Sequence, residues 1–493
     1  MEGWLFYSLI ALLGFLIWYF IFKKPFWAIL ILVLLLPFHA FIVTASDYFL
    51  NLNGTQANIL AFWKEYIVLV FLIKITYHSF AYSKLPFKFK WYDYLIICLF
   101  LLSLAINYIQ EIPILMTAYG IRYDFLMFAV FMIFRSINLT DEEVLKIIKA
   151  FMWSGVVVVV FGLAQKFLSA DFLTNFGYAG ITDWNPKNPL SLPAHHYIHE
   201  TNTQRLQSFF SGPNALASYL VILWGLCLLS LARVRIFNTT KKMLSIGFIF
   251  YLVYLLGIGT LLFFTHSRSA WIAVIIFSVL FLLSLFQEWR TRILIIVIIL
   301  CSCVVSVFAY NGSLPENLVR TKSSVSGHIL RGAAGVYLIK HNPEGLGVGT
   351  AGPSSLRFDT GYTEIQPEAY EEISEYLKLI KIDSNTANYH FVLKNSLVPE
   401  NWFLQIGVEL GLLGLFIFTA IIFGIFWSMY YIYSKTINYF HKELILVCLF
   451  IGISLIIHST FLHTWSDAPT TILYWILVGM VFSTNREVIN GKT

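Results

Sequence analysis

The chain reads as long apolar runs, most of them near the length of a membrane helix, broken by polar stretches. A membrane helix needs about 20 mainly apolar residues. A window of that length finds about thirteen spans, near 4–22, 26–43, 59–77, 93–109, 113–134, 144–168, 213–231, 244–264, 268–286, 293–310, 403–433, 443–462 and 469–484. The last run is short, so twelve is the alternative count. The runs are continuous rather than alternating, which excludes a β-barrel. The expected fold is an all-α polytopic membrane protein of about 12–13 transmembrane helices with a large helical extracytoplasmic loop. No separate cleavable signal peptide is expected, because the first run, Trp4 to Phe22, is long enough to span and another follows almost at once.

The polar breaks give an orientation. Lys23/Lys24, Lys84/Lys88/Lys90, Arg135, Arg233/Arg235/Lys241/Lys242, Arg290/Arg292 and Lys435/Lys442 fall in alternate loops. The intervening short loops, such as Thr44 to Asn58, have no Lys or Arg. The positive-inside rule places the basic set in the cytoplasm, the N-terminus outside and the C-terminus inside. Two outer loops are long, 169–212 and 311–400, and loops of this length are usually functional or disordered. The second contains helix-like stretches at Ser326 to Lys340 and Pro367 to Ile382. In the latter, Tyr370, Ile373, Leu377 and Ile380 recur at helical spacing. This loop is expected to fold as a cap over the outer mouth. The chain thus divides into N-terminal helices (1–168), a first loop (169–212), central helices (213–310), a large loop (311–400) and C-terminal helices (401–493). No internal repeat is visible.

Composition narrows the function. Of 493 residues 58% are hydrophobic and only 12% charged, and mean hydropathy is +0.74. Such a chain is not a soluble enzyme, a disordered chain or a collagen-like fibre. Its net charge of +6 is explained by basic cytoplasmic loops and does not suggest nucleic-acid binding. Cys98, Cys227, Cys301, Cys303 and Cys448 all lie in apolar runs, so neither a disulfide framework nor a cysteine metal site is expected.

With so few charges, those in or beside the spans are the candidates for chemistry. Trp63-Lys64-Glu65 opens the third span, and Gly120-Ile-Arg-Tyr-Asp124 lies in the fifth; structural ion pairing is the alternative for both. Lys74 is read as a snorkelling side chain. The tightest cluster is Thr265-His-Ser-Arg-Ser-Ala-Trp271, a whole hairpin turn on the outer side. Ser267 is a natural N-cap. Arg268 then sits in a first helical turn, where free N–H groups and the helix dipole already favour an anion. An arginine there suits a phosphate, with a snorkelling interface residue as the alternative. Arg205 and Gln207 precede a second helix start at Pro213, a residue suited to the first helical position. Two such termini fit a doubly charged ligand such as a diphosphate. At the end of the large loop stands Glu400, followed by Asn401 and a Gly407/Gly411 G-x-x-x-G step that allows close helix packing. Glu400 facing a cationic mouth can accept a proton from a hydroxyl; the alternative is that it caps its helix.

Two patterns are set aside. Gly347-Val-Gly-Thr-Ala-Gly352 matches G-x-G-x-x-G without a βαβ context. His195, His196, His199 and Glu200 have a metal-like spacing but no H-E-x-x-H order, and a loop role is preferred to zinc.

Taken in order, these pieces resemble the O-antigen ligase and O-antigen polymerase superfamily of bacterial membrane glycosyltransferases. The matching residues are Trp63-Lys-Glu65, Gly120 to Asp124, Arg205 with Pro213-Asn214, and Thr265 to Trp271. Further on they are Arg331 with His341-Asn-Pro343, Gly345 to Gly349, and Glu400-Asn-Trp-Phe-Leu with Glu409-Leu-Gly-Leu-Leu-Gly414. The resemblance implies an undecaprenyl-type lipid diphosphate donor in the bacterial cytoplasmic membrane. It implies transfer to an acceptor hydroxyl on the outer face with inversion, without metal or other cofactor. Arg268 and Arg331 would hold the diphosphate, with Arg205 and Arg122, and His266, Lys64 and Asn401 would support the site. Glu400 would be the base, where ligases of the family commonly have histidine. The expected function is polymerisation of a surface polysaccharide of O-antigen, capsule or teichuronic acid type. The alternatives are an O-antigen-type ligase or protein O-oligosaccharyltransferase and, more distantly, a flippase or exporter of lipid-linked sugars. The expected partners are the lipid-linked oligosaccharide and a glycan, lipid or protein acceptor. An exporter would place charge deep in the bilayer and show paired halves, whereas here polar groups gather at the outer edge.

Overall fold

A computed structural model describes residues 3–82, 87–168, 170–180, 191–198, 203–237, 246–285, 322–355, 358, 372–373 and 399–486. It is built almost wholly of helices: α1 (Gly3–Lys23), α2 (Pro25–Leu35), α3 (His39–Leu50), α4 (Gly54–Ala61), α5 (Trp63–Ala81), α6 (Trp91–Ile109), α7 (Ile114–Ser136), α8 (Asp141–Ala164), α9 (Pro213–Phe237), α10 (Ile246–Phe264), α11 (Arg268–Leu285), α12 (Lys322–His341), α13 (Gly352–Ser355), α14 (Trp402–Lys435), α15 (Tyr439–Ser459) and α16 (Ala468–Thr484). Two strands, β1 (Tyr197–Ile198) and β2 (Thr203–Gln204), form a small antiparallel hairpin before α9. Among the described residues ten helical segments are long and apolar enough to cross a membrane. The protein is an all-α, multi-pass membrane protein. The expected span at 293–310 and the helix-like stretch at Pro367–Ile382, apart from residues 372–373, lie outside the described residues, as do Cys301 and Cys303.

The short run at the C-terminus has a clear role. α16 has 17 residues, and every one from Pro469 to Ser483 is buried. It packs along α7 and also against α9 and α15. A helix hydrophobic all round belongs in an interior, and α16 is the central post of the bundle. The outer faces carry large apolar side chains in the open, among them Trp4, Phe15, Phe80 and Phe416. In water these would be a liability; against lipid tails they cost nothing. Arg135, read above as a loop charge marking one side, is buried in the structure. It pairs with the equally buried Asp93 at 2.8 Å and lies over the Phe87 ring. Lys74 donates to the Ile21 carbonyl at 2.7 Å, at the end of α1.

The sequence after α12 departs most from the expectation. Residues 342–351 turn back into the bundle as a re-entrant loop. Leu346 N–H donates to the Val408 carbonyl, Gly347 N–H to the Glu409 carbonyl and Leu412 N–H to the Pro343 carbonyl, each at 2.9 Å. Asn107 on α6 brackets the loop, accepting from Val348 N–H at 2.6 Å and donating to the Val348 carbonyl at 3.0 Å. Irregular backbone at membrane depth persists only where protein satisfies its polar groups, and these bonds do so. Within the Gly407/Gly411 step, only Gly407 makes the expected contact with another helix. Gly407 faces Ile339 of α12. Gly411 takes φ +68° and breaks α14, and its Cα lies against the Pro343 and Glu344 backbone. Gly411→Ala is expected to destabilise the protein by about 1–3 kcal/mol, the usual cost of forcing atoms into a packed interior. Gly407→Ala meets side-chain atoms, chiefly the flexible end of Ile339, and is expected to cost less. Thermal midpoints in detergent check the pair, and equal midpoints would remove the backbone-contact argument.

Candidate functional site

The hairpin turn between α10 and α11 is rigid for local reasons. His266 takes a left-handed φ of 51°. Thr265 Oγ1 accepts from Ser267 N–H at 3.2 Å and donates to the Leu262 carbonyl at 2.7 Å. Trp271 Nε1 donates to the same carbonyl at 3.0 Å, and its ring stacks on Phe263. Arg268 is the first residue of α11, as expected. Ser267 precedes it, but its buried hydroxyl makes no hydrogen bond within the described structure, so the expected side-chain cap is not formed.

Arg205 is fastened to this turn. Its Nε donates to the Thr265 carbonyl at 2.8 Å, and its Nη2 to Asn214 Oδ1 at 2.7 Å on the first turn of α9. Pro213 opens α9 as the sequence suggested. Two helix starts, α9 and α11, are thus held side by side through one guanidinium. Burial, and then the positive charge of Arg268, bring Arg205 down to about 10. Cations crowded in this way gain from a bound anion.

α12 and α14 supply the opposite wall. Arg331 Nη1 donates to Glu400 Oε1, and His328 Nδ1 meets Glu400 Oε2. Asn401, not Glu400, caps α14: its Oδ1 accepts from Leu404 N–H at 3.1 Å, and its Nδ2 donates to the Thr460 carbonyl at 2.9 Å. The capping alternative for Glu400 is therefore not what the structure contains, and its carboxylate faces the arginine instead. Arg205, His266, Arg268, His328, Glu400 and Asn401 all line one cavity of about 430 Å³, with Ile272, Leu404 and Phe461 on its apolar side. That volume is typical of a small-ligand site.

Two histidines escaped the sequence reading. His328 is held down to about 4 by burial and by the charges of Arg331, Arg268 and Arg205, in that order. It is therefore neutral at physiological pH, and all three arginines act on it. His463, between α15 and α16, is held down to about 3 by burial, Arg331 and His328. Both its ring nitrogens lack a hydrogen-bond partner in the described structure. No motif marks either residue. They come from separate segments, 60 and 195 residues from Arg268, so only the fold reveals them.

Arg122 and Lys64 lie apart from this cavity. Arg122 Nε and Nη2 hold Glu65 at 2.7 and 2.6 Å. Lys64 bridges Glu65 at 3.2 Å and His39 at 2.8 Å. The network borders a second, smaller cavity of about 200 Å³ with Ser466 and Asp467. Arg122 does not pair with Asp124, whose partners are Gln405 and Glu409. Of the loop histidines, His195 meets Asp171 at 3.0 Å, while His199 and Glu200 lie outside the described residues. Among the described residues no group of three or more His, Cys, Asp or Glu side chains is placed to hold a metal ion.

The segment bearing Arg268, His328, Arg331 and Glu400 also decides the comparison with known proteins. Residues 250–419 match the O-antigen ligase family. The match supports the superfamily resemblance and, with it, a membrane glycosyltransferase of the ligase or polymerase type. It runs from α10 into α14 and takes in the hairpin turn, α12, the re-entrant loop and the base of the cavity. Arg205 and the Lys64–Glu65–Arg122 network lie before it. No curated protein matches the chain.

Proposed function

We propose that the protein moves a glycan from an undecaprenyl-type lipid diphosphate to an acceptor hydroxyl at the outer face of the bacterial cytoplasmic membrane, polymerising a surface polysaccharide. One observation carries the reading: Arg205, bound to the first turn of α9, and Arg268, the first residue of α11, line one cavity with Glu400, which Arg331 holds. In this mechanism the donor diphosphate lies against Arg205 and Arg268, with the lipid tail leaving past Ile272. Arg331 turns from Glu400 to the incoming phosphate, which frees the carboxylate. The acceptor hydroxyl attacks the anomeric carbon from the face opposite the diphosphate. As the new C–O bond forms, the bond to the diphosphate breaks and its electron pair stays on the departing oxygen. Arg205 and Arg268, already in place at the cavity wall, stabilise that charge. Glu400 takes the hydroxyl proton. Neutral His328 beside it can receive or orient that proton, and the step needs no metal. Arg122 and Lys64 fit a more distant part of the same donor or acceptor.

Ligation to lipid or protein is the second reading. The family description and the imidazole of His328 against Glu400 favour it. Reconstitution with lipid-linked glycan separates the two. Polymerisation is expected to give a ladder of products, each one repeat longer. A single mass shift on an added acceptor, with no ladder, would replace polymerisation by ligation.

A further inference from the structure

The mechanism above does not use Asp124 or Glu409, yet they are among the most buried acids in the chain, with relative exposures of 2% and 0%. Asp124 projects from α7 and Glu409 from α14, one helical turn after Gln405, which donates to Asp124, so the two carboxyl groups lie together and act on each other. Their donors can be counted. Glu409 Oε1 accepts from Gly349 N–H at 3.0 Å and Ala351 N–H at 3.1 Å. Asp124 Oδ1 accepts from Gln405 Nε2 at 3.3 Å. Asp124 Oδ2 and Glu409 Oε2 receive no N–H or O–H from the described structure. Among the described residues, the charged groups acting on the pair are the two acids themselves.

Two carboxylates in contact and out of water cannot both stay ionised, because each repels the other and neither is solvated. A proton held between the two carboxyl groups turns the repulsion into a hydrogen bond. We propose that Asp124 and Glu409 share a single proton, and that the pair acts as a positioning element for the Glu400 site. The second half follows from what Glu409 holds. Its oxygen gathers the Gly349 and Ala351 N–H groups of the re-entrant loop, the same segment as the G-x-G-x-x-G pattern set aside above. That loop follows directly on α12, which carries His328 and Arg331. Glu409 lies nine residues after Glu400, about 13 Å along the chain's helical path. The acid pair thus ties the far end of α12 to α14 and to α7. That connection fixes the register in which Arg331 and His328 meet Glu400.

The positioning half rests on the proposed transfer reaction; the shared proton does not. Infrared spectra of the purified full-length protein at neutral pH are compared with those of Asp124→Asn and Glu409→Gln. One protonated-carboxyl band is expected in the parent, and the same band should be missing from both variants. Finding no such band to lose, or losing it in only one variant, would overturn the shared proton. In transfer assays each amide variant should stay within about threefold of the parent, since its N–H replaces the shared proton. Glu409→Ala, which releases two backbone N–H groups, should lower kcat by about tenfold or more with donor affinity kept, and Glu409→Gln serves as its rescue. Loss of transfer in the amide variants as large as in Glu409→Ala would show that the pair moves a proton or supplies charge, and would overturn the positioning role. Should the parent transfer no glycan, the proposed reaction and the positioning role fail together, and the infrared comparison still decides the shared proton.

Discussion

Glu400→Gln is expected to lower product formation by about 10²–10⁴-fold, the usual contribution of a positioned general base. Glutamine keeps the shape of the side chain and an oxygen for Arg331, the partner that the carboxylate holds in the resting structure. Only the capacity to take a proton is removed. Expression, thermal midpoint and donor binding should therefore stay near those of the parent while turnover collapses. Rates are measured on reconstituted protein with saturating donor, so that weak binding does not imitate slow chemistry. Near-normal turnover would remove Glu400 as the base. His328 would then be the next group to test, because it contacts the same carboxylate and is neutral at physiological pH.

The second large effect belongs to Arg268. Arg268→Ala should reduce kcat by about 10²–10³-fold, the range seen when one preorganised donor is taken from a developing negative charge. Donor affinity should fall as well, because the same guanidinium faces the ground-state diphosphate. Arg268→Lys should recover only part of the loss: an ammonium keeps the charge but not the planar fork that matches a phosphate. The fold should survive both changes, since Arg205 and the Thr265 and Trp271 bonds hold the turn without it. The check is a pair of kinetic series in donor concentration for the two variants. Unchanged donor affinity and unchanged turnover in Arg268→Ala would assign the residue to the membrane interface instead.

Much of this architecture is legible in the chain. Apolar runs near the length of a membrane helix have few other fates, so the helices and most of their limits follow from burial alone. The start of α9 at Pro213 and of α11 at Arg268 follow from local residue chemistry. For the same reason Arg205, Arg268 and Glu400 could be named together before their convergence was visible. Local patterns fail where a partner comes from far away. By motif Arg122 belongs with the phosphate ligands or in an ion pair, and the fold gives it Glu65, 57 positions earlier, as partner. Arg135 reads as a loop charge in the sequence, whereas in the fold it is buried against Asp93. The Gly347–Gly352 pattern is set aside as a nucleotide motif on sequence grounds, but its service to Glu409 through the Gly349 and Ala351 N–H groups shows only in the fold. In each case the deciding contact joins residues with no periodic relation in the chain.

In the proposed reaction the cavity between α11, α12 and α14 breaks a lipid diphosphate–sugar bond. The most direct test places the purified protein in vesicles with a lipid-linked oligosaccharide and measures released lipid diphosphate and transferred glycan together. One lipid diphosphate should appear for each glycan transferred, with a chelator present, and both should disappear in Glu400→Gln. Donor that crosses the bilayer intact, with no lipid diphosphate released, would contradict the account and make the protein an exporter.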